Sequence, residues 1–366
     1  MQISEVAIEQ YVRERFGAQA QLLQVDKLGD AEAASAASSH ADALKTFGYG
    51  KPILVHLCVD GQEQKIVLHT AKANPFGHDY RADRAADLIL AYDTFNQFPR
   101  QAPALDVGVV KTDGALHSIV PNEEFYLTTQ YVEGAPYAVD LQRLRDTGEL
   151  TELDLQRARK LASHLAQIHS QKRAEPALYL RHIRDTIGSG EGIWGLTDSY
   201  PPDYALARPS WLEQIEKQCV TWRWRLKTQS HRLSQIHGDF HPFNVLFETA
   251  DKFHLLDRSR SPWGEPADDV SCMAINYLFF SLQRSATMAP PFTELWHTFW
   301  ETYLRQSGDQ HLLQVIAPFL AWRGLVLASP VWYNVTDRTR QTLFAFIEDV
   351  LGRPEFNPNT IENWEV

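Results

Sequence analysis

Ile236-His237-Gly238-Asp239-Phe240-His241-Pro242-Phe243-Asn244-Val245-Leu246-Phe247, followed by Phe253-His254-Leu255-Leu256-Asp257, is the stretch on which the reading of this chain turns. Two short apolar runs, Val245–Phe247 and Phe253–Leu256, read as strands that close a polar loop. The loop carries Asp239 and Asn244 on one side of a turn, and the second strand delivers Asp257 beside them. Taken singly, Asp239 is an ordinary turn residue and Asn244 an ordinary cap. Together, at this spacing, they form a set of hard oxygen donors around one carboxylate.

Phosphoryl transfer calls for such a set. One carboxylate must accept or orient the attacking hydroxyl, and two oxygen ligands must hold Mg²⁺ against the nucleotide phosphates. Asp239 suits the first role, and Asn244 with Asp257 suits the second. His237 and His241 also have the look of a metal pair, but His-x3-His without further ligands is better read as loop scaffolding.

His-Gly-Asp-x-His-x-x-Asn, with an Asp ending the next apolar strand, resembles the aminoglycoside phosphotransferase and choline kinase family, bilobal relatives of the protein kinases. Leu161–His169 resembles the helix that precedes that family's catalytic loop, and Trp263–Val270 is similar to its Gly-Asp-Pro-x-x-Asp-Leu segment. Tyr131-Val132-Glu133-Gly134 resembles the hinge between its lobes. The resemblance runs over roughly 22–285, strong at 236–270 and loose before that. It implies an α+β, protein-kinase-like bilobal fold, with a small antiparallel β-sheet lobe, a larger helical lobe, and ATP and Mg²⁺ as cofactors. Nucleotide base contacts are then expected from the backbone of Gln130 and Val132.

The chain departs from that pattern in places. The third-strand Lys that pairs the α- and β-phosphates is replaced at the expected position by His69, with Lys72 close behind. The Glu of the partner helix is replaced by Asp83 or Asp87, and an Ala/Ser-rich insertion separates Gly29 from Gly48 and Gly50. After Asp257 come Arg258 and Arg260, which could neutralise phosphate charge but are better expected to pair with Glu265 and Asp268.

Outside the loop, the first third reads as β-rich. Runs at Leu22–Leu28, Ile53–Asp60 and Lys65–Thr70, a turn at Asp60-Gly61-Gln62, a helix over 79–98, and strands near Val107–Lys111 and Phe125–Val132 are predicted. Thr151–Asp154 reads as a capping box, opening an amphipathic helix with Leu155, Ala158, Leu161, Ala162, Leu165 and Ile168 on one face. The Gly-, Pro- and aromatic-rich stretch 175–212 is expected to be irregular. The division expected is a nucleotide-binding lobe over 1–132 and a helical lobe over 133–366, which holds the catalytic loop and the acceptor site.

Composition narrows the function classes. A net charge of -11 argues against nucleic acid as the main partner, since phosphate binding needs clustered Lys and Arg. Leu312–Trp332 is apolar but contains Pro318, Arg323 and Pro330, so it reads as a buried helix and not as a membrane span. Cys58, Cys219 and Cys272 match no metal or redox spacing, and the first residues carry charges where a leader would be apolar; a cytoplasmic protein is expected. The reading is therefore an ATP-dependent kinase of a small-molecule acceptor hydroxyl. Rival readings are a nucleotide-binding pseudokinase and a protein kinase; the latter is disfavoured because no activation segment ending in Ala-Pro-Glu is found. Trp194, Trp211, Trp222 and Trp224 are candidate acceptor walls, although core packing is the plainer reading of each. Asp198, Asp203, Glu355 and Glu362 would suit an amine-bearing acceptor if they lined the site. Neither the acceptor nor the oligomeric state is written in the residues.

Overall fold

The computed structural model describes residues 3–27, 53–71, 73, 78–96, 103–119, 133–256 and 261–363. The chain divides into two compact units, Met1–Thr129 and Gln130–Val366.

In the first unit, helix α1 (Glu5–Phe16) is capped by Ser4, whose Oγ accepts the Ala7 N–H at 3.2 Å. Strands β1 (Gln21–Lys27), β2 (Ile53–Val59) and β3 (Gln62–Leu68) form an antiparallel sheet in that order. Val59 pairs with Gln62, which leaves Asp60 and Gly61 as the turn. Both have left-handed backbones, with φ of 50° and 78°, the twist that a two-residue hairpin demands. Val55 and Leu57 point from β2 to one face and bury Ile8 and Val12 of α1 in a small core. Helix α2 (Arg81–Phe95) follows. Strand β4 (Gly108–Val110) pairs with β5 (Leu116–Ser118), a strand the sequence reading missed because three residues are too few to show alternation. The strand expected at Phe125–Val132 lies outside the described residues.

The second unit is mostly helical. A short strand β6 (Ala135–Pro136) leads into α3 (Tyr137–Thr147) and α4 (Glu152–His169). The capping box at α4 is present: the Thr151 N–H donates to Asp154 Oδ2 at 2.8 Å, and Arg143 donates to Oδ1 of the same carboxylate at 2.5 Å. The stretch 175–212 is not irregular. It holds α5 (Pro176–Gly188), α6 (Ile193–Asp198) and the start of α7 (Pro209–Leu226). Tyr179, Ile183 and Ile187, spaced by one turn and buried, make the core face of α5; the surrounding Gly, Pro and aromatic residues hid that period.

After α7 come β7 (Ser234–Gln235), β8 (Val245–Phe247), β9 (Phe253–Leu255) and β10 (Trp263–Gly264). Strand β8 pairs with both β6 and β9, and β7 pairs with β10, all antiparallel. Helix α8 (Pro266–Arg284) is buried along nearly its whole length, polar positions included, so each of its polar side chains needs an internal partner. Helices α9 (Phe292–Ser307), α10 (Leu312–Val315), α11 (Ala317–Ala328) and α12 (Asp337–Gly352) complete the unit. Helix α9 packs along α4 and α8, and α11 packs against α8 and α12. Trp296, Trp300 and Trp322 are fully enclosed in this core. Between α11 and α12 the chain turns under Arg340, which donates to the carbonyls of Ala328 at 3.2 Å, Tyr333 at 2.6 Å, and Val335. Among the described residues no helix is long and apolar enough to cross a membrane. The α+β class expected from the sequence is what the elements show: a small antiparallel sheet in the first unit and a dominant helical second unit.

Candidate active site

The loop between β7 and β8 takes its shape from backbone recognition. Gly238 has φ of 88°, a left-handed conformation that side chains disfavour. This turn aims two successive amides inward: His237 N–H donates to Asp269 Oδ2 at 2.7 Å and Gly238 N–H to Oδ1 at 2.8 Å. Asp269 lies in the first turn of α8, where the helix dipole favours a negative charge. Its Oδ2 also lies 3.3 Å from Nε2 of His169, the last residue of α4, and Nδ1 of that ring is 2.8 Å from the Tyr303 hydroxyl. A carboxylate only accepts, so Nε2 carries a proton and donates to Asp269. Burial works to raise the Asp269 pKa, but the hydrogen bond and charge of His169, with the His237 amide, outweigh it. The carboxyl lies below its ordinary value.

On the other face of this loop stands Asp239, with its side chain 22% exposed. Asn244 Nδ2 donates to the Asp239 carbonyl at 3.0 Å and reaches Oδ2 at 3.3 Å, so the two residues share one side of the turn. Arg323 of α11 donates through Nη1 to Asp239 Oδ1 at 2.8 Å. His237 and His241 do scaffolding work. Nδ1 of His237 accepts the Asp239 N–H at 3.3 Å, and Nδ1 of His241 accepts the Phe243 N–H at 3.2 Å. Beneath the loop, buried Phe240 stacks on His164 at 6.0 Å, and burial lowers the His164 pKa.

The β8–β9 pairing extends one step toward Asp257: Leu256 N–H donates to the Asn244 carbonyl at 2.9 Å. Asp257 itself, with Lys72, Gln130 and Val132, lies outside the described residues. In the first unit His69 follows β3 directly and is exposed. Asp83 accepts the Tyr80 N–H at 2.7 Å, and Asp87 pairs with His78 at 2.7 Å, so both helix carboxylates are engaged near their own helix.

The expected partners of Glu265 and Asp268 need correcting. Both oxygens of Glu265 are taken by Arg232, at 2.6–2.9 Å, and Oε2 accepts the Tyr179 hydroxyl at 2.8 Å. Arg232 turns its remaining donors to Asp309 at 2.8 Å. Asp268 binds Arg323 at 2.7 Å. Arg258 and Arg260 lie outside the described residues. Proximity in sequence misled here, because fully buried carboxylates need cations that the fold buries with them. Of the candidate acceptor walls, Trp222 is core and donates to the Leu351 carbonyl at 3.1 Å, while Trp224 is exposed beneath Lys227.

Arg323 was missed as a site residue, yet its signal was present. A guanidinium inside an otherwise apolar run must find buried acceptors, and here they are two atoms of the loop and the Asp268 carboxylate of α8.

The model of the phosphotransferase enzyme family matches residues 79–311. No curated protein matches the chain. Among solved structures, a glucosamine kinase in complex with glucosamine, ADP and inorganic phosphate is 16% identical, with a TM-score of 0.38, covering 58% of this chain and 58% of that one. The chain thus spans less than two thirds of that kinase. An ethanolamine kinase of Plasmodium vivax is 13% identical, covering 84% of this chain and 82% of that one, with a TM-score of 0.38. A macrolide 2'-phosphotransferase type I is 15% identical, covering 95% and 99%, with a TM-score of 0.31.

Proposed function

Because this chain belongs to the phosphotransferase enzyme family, we propose that it transfers the γ-phosphoryl group of ATP to a hydroxyl of a small-molecule acceptor. The observation that carries this reading is the joint placement of Asp239 and Asn244, tied by the Asn244 amide at 3.0 and 3.3 Å on a loop whose backbone is gripped from behind. Asp239 is the group that accepts or orients the acceptor's hydroxyl proton. Asn244 fits a magnesium site: its amide nitrogen is spent on Asp239, which leaves the oxygen as the donor on offer, and oxygen is the atom this hard cation selects. Asp257 is the second ligand in this reading, one residue beyond the strand bond that ties Leu256 to Asn244. When bound, Mg²⁺ neutralises charge on the nucleotide phosphates. His69 or Lys72 would face the phosphates, and the backbone of Gln130 and Val132 would meet the base. Positioning and electrostatics supply most of the acceleration in such reactions. The cytoplasm, which provides ATP and keeps thiols such as Cys58 reduced, is the proposed compartment.

The test is ADP release from Mg·ATP across amino sugars, sugars, choline-like alcohols and amino acids, with Asp239→Ala and Asp257→Ala as controls. Acceptor-dependent turnover lost in both variants supports the proposal. Failure of the wild-type protein to bind Mg·ATP ends it, and binding without turnover on any acceptor favours the pseudokinase reading.

A further inference from the structure

Arg323 lies on α11, 84 positions along the chain from Asp239 and 55 from Asp268, and its side chain is only 8% exposed. Its guanidinium meets three acceptors: Asp239 Oδ1 at 2.8 Å, the Gly238 carbonyl at 3.1 Å and Asp268 Oδ1 at 2.7 Å. The carbonyl and the carboxylate belong to consecutive residues of the loop, so one rigid fork fixes both the backbone leading into Asp239 and the rotation of its side chain. The Trp322 ring, 4.1 Å from the guanidinium carbon, covers the fork. Gly238 is thereby held at both ends of its polar backbone. Its N–H sits on Asp269 and its C=O on Arg323, while Asp268, the residue before Asp269, anchors the arginine. Two successive carboxylates at the start of α8 divide the work: one holds the loop directly and the other through a cation.

We infer that Arg323 is the positioning residue of the phosphoryl-transfer loop, an inference that rests on the function proposed above. By occupying Oδ1 it presents the carboxylate with Oδ2 toward Asn244 and toward His241, whose Nε2 lies 3.6 Å away. Asp268 supplies a second negative charge, so that the guanidinium is shared and Asp239 keeps its own charge for the acceptor. Lysine cannot do this, because an ammonium is a point charge on a flexible stem and does not reproduce the planar fork.

The experiment compares wild type with Arg323→Lys and with the double variant Arg323→Gln/Asp268→Asn. The double variant removes a buried cation together with its fully buried anion, so the carboxylate that loses its guanidinium is Asp239, which is 22% exposed and reaches water. Amide exchange over 237–244 is read first, since it needs no substrate. Exchange at least tenfold faster in both variants is expected, because the Gly238 carbonyl loses its donor. With an acceptor in hand, kcat falls about 10- to 100-fold while nucleotide affinity stays within twofold, the loss expected for a misplacement of about 1 Å. A merely structural arginine would lower the melting temperature and leave kcat per folded molecule intact, and that result overturns the inference. So does loop exchange within twofold of wild type in both variants. If the wild-type protein turns over no acceptor, the proposed function falls instead, and the exchange comparison still decides whether Arg323 holds the loop.

Discussion

Replacing Asp269 by Asn changes one atom and should dismantle the loop's anchor. The carboxylate is fully buried and accepts two backbone N–H groups, from His237 at 2.7 Å and Gly238 at 2.8 Å, with His169 at 3.3 Å as a third donor. An amide keeps one oxygen for one of those donors and turns an NH₂ toward another, so a bond is lost and two donors face each other. Hydrogen bonds to a charged group contribute about 1.5–3 kcal/mol each, and a stranded buried donor costs about 1–3 kcal/mol more. The sum is roughly 2.5–6 kcal/mol against a total stability of about 5–15 kcal/mol. For a unit of this size each kcal/mol moves Tm by about 2–4 °C, so Asp269→Asn should melt about 5–24 °C below wild type. Thermal denaturation followed by circular dichroism reads the shift, and amide exchange at 237 and 238 locates it. The carboxyl's depressed pKa also sets the pH window. Its contribution is fully present above the unfolded value, about 3.9, and is lost as pH falls through the lower folded value. A variant that melts within about 3 °C of wild type, with both amides equally protected, would refute this account of the loop.

Gly264→Ala should destabilise by about 1–3 kcal/mol, because an added Cβ falls 2.5 Å from Ile236 Cδ1 and 2.6 Å from the His182 ring, directly behind the loop; urea unfolding measures it. Glu265→Gln leaves the buried Arg232 with Asp309 as its remaining carboxylate, and a drop of about 3–5 kcal/mol is expected in the same assay. His164 is held below its ordinary pKa of 6.5 by burial, so the unfolded chain takes up the proton first. Its contribution is complete above pH 6.5 and falls as pH drops toward the folded value, and His164→Phe should remove that slope from stability measured between about pH 7.5 and 5.5.

How much of this was readable in advance follows the range of the interactions. The hairpin turn read at Asp60-Gly61-Gln62 and the Thr151–Asp154 box are decided within a few residues; the box stands as read, and the turn is one residue shorter, because Gln62 already pairs with Val59. Asp239 and Asn244 lie five positions apart, and one turn suffices to bring them together. The polar partners beyond the loop were another matter. Arg232 reaches Glu265 across 33 positions and Arg323 reaches Asp239 across 84, distances at which no periodicity speaks. Even so, each left a trace. A charged residue in an apolar segment, such as Arg323 between Trp322 and Gly324, announces that an acceptor is buried somewhere, though not which one. Helix α5 was hidden for a different reason: its Gly, Pro and aromatic content imitates a loop, while burial of every fourth residue decides the outcome.

The turn between α11 and α12 has one more implication. Arg340 grips the turn through carbonyl oxygens, those of Ala328, Tyr333 and Val335, with Asp337 of its own helix 3.7 Å away, while Val331 and Trp332 stand 54% and 62% exposed at the tip. A grip on main-chain oxygen is blind to the letters written along the chain. The tip is therefore free to drift in composition without unfastening the turn, provided the arginine stays. Evolution, or an engineer attaching a label, can rewrite Val331 and Trp332 while the two helices keep their junction.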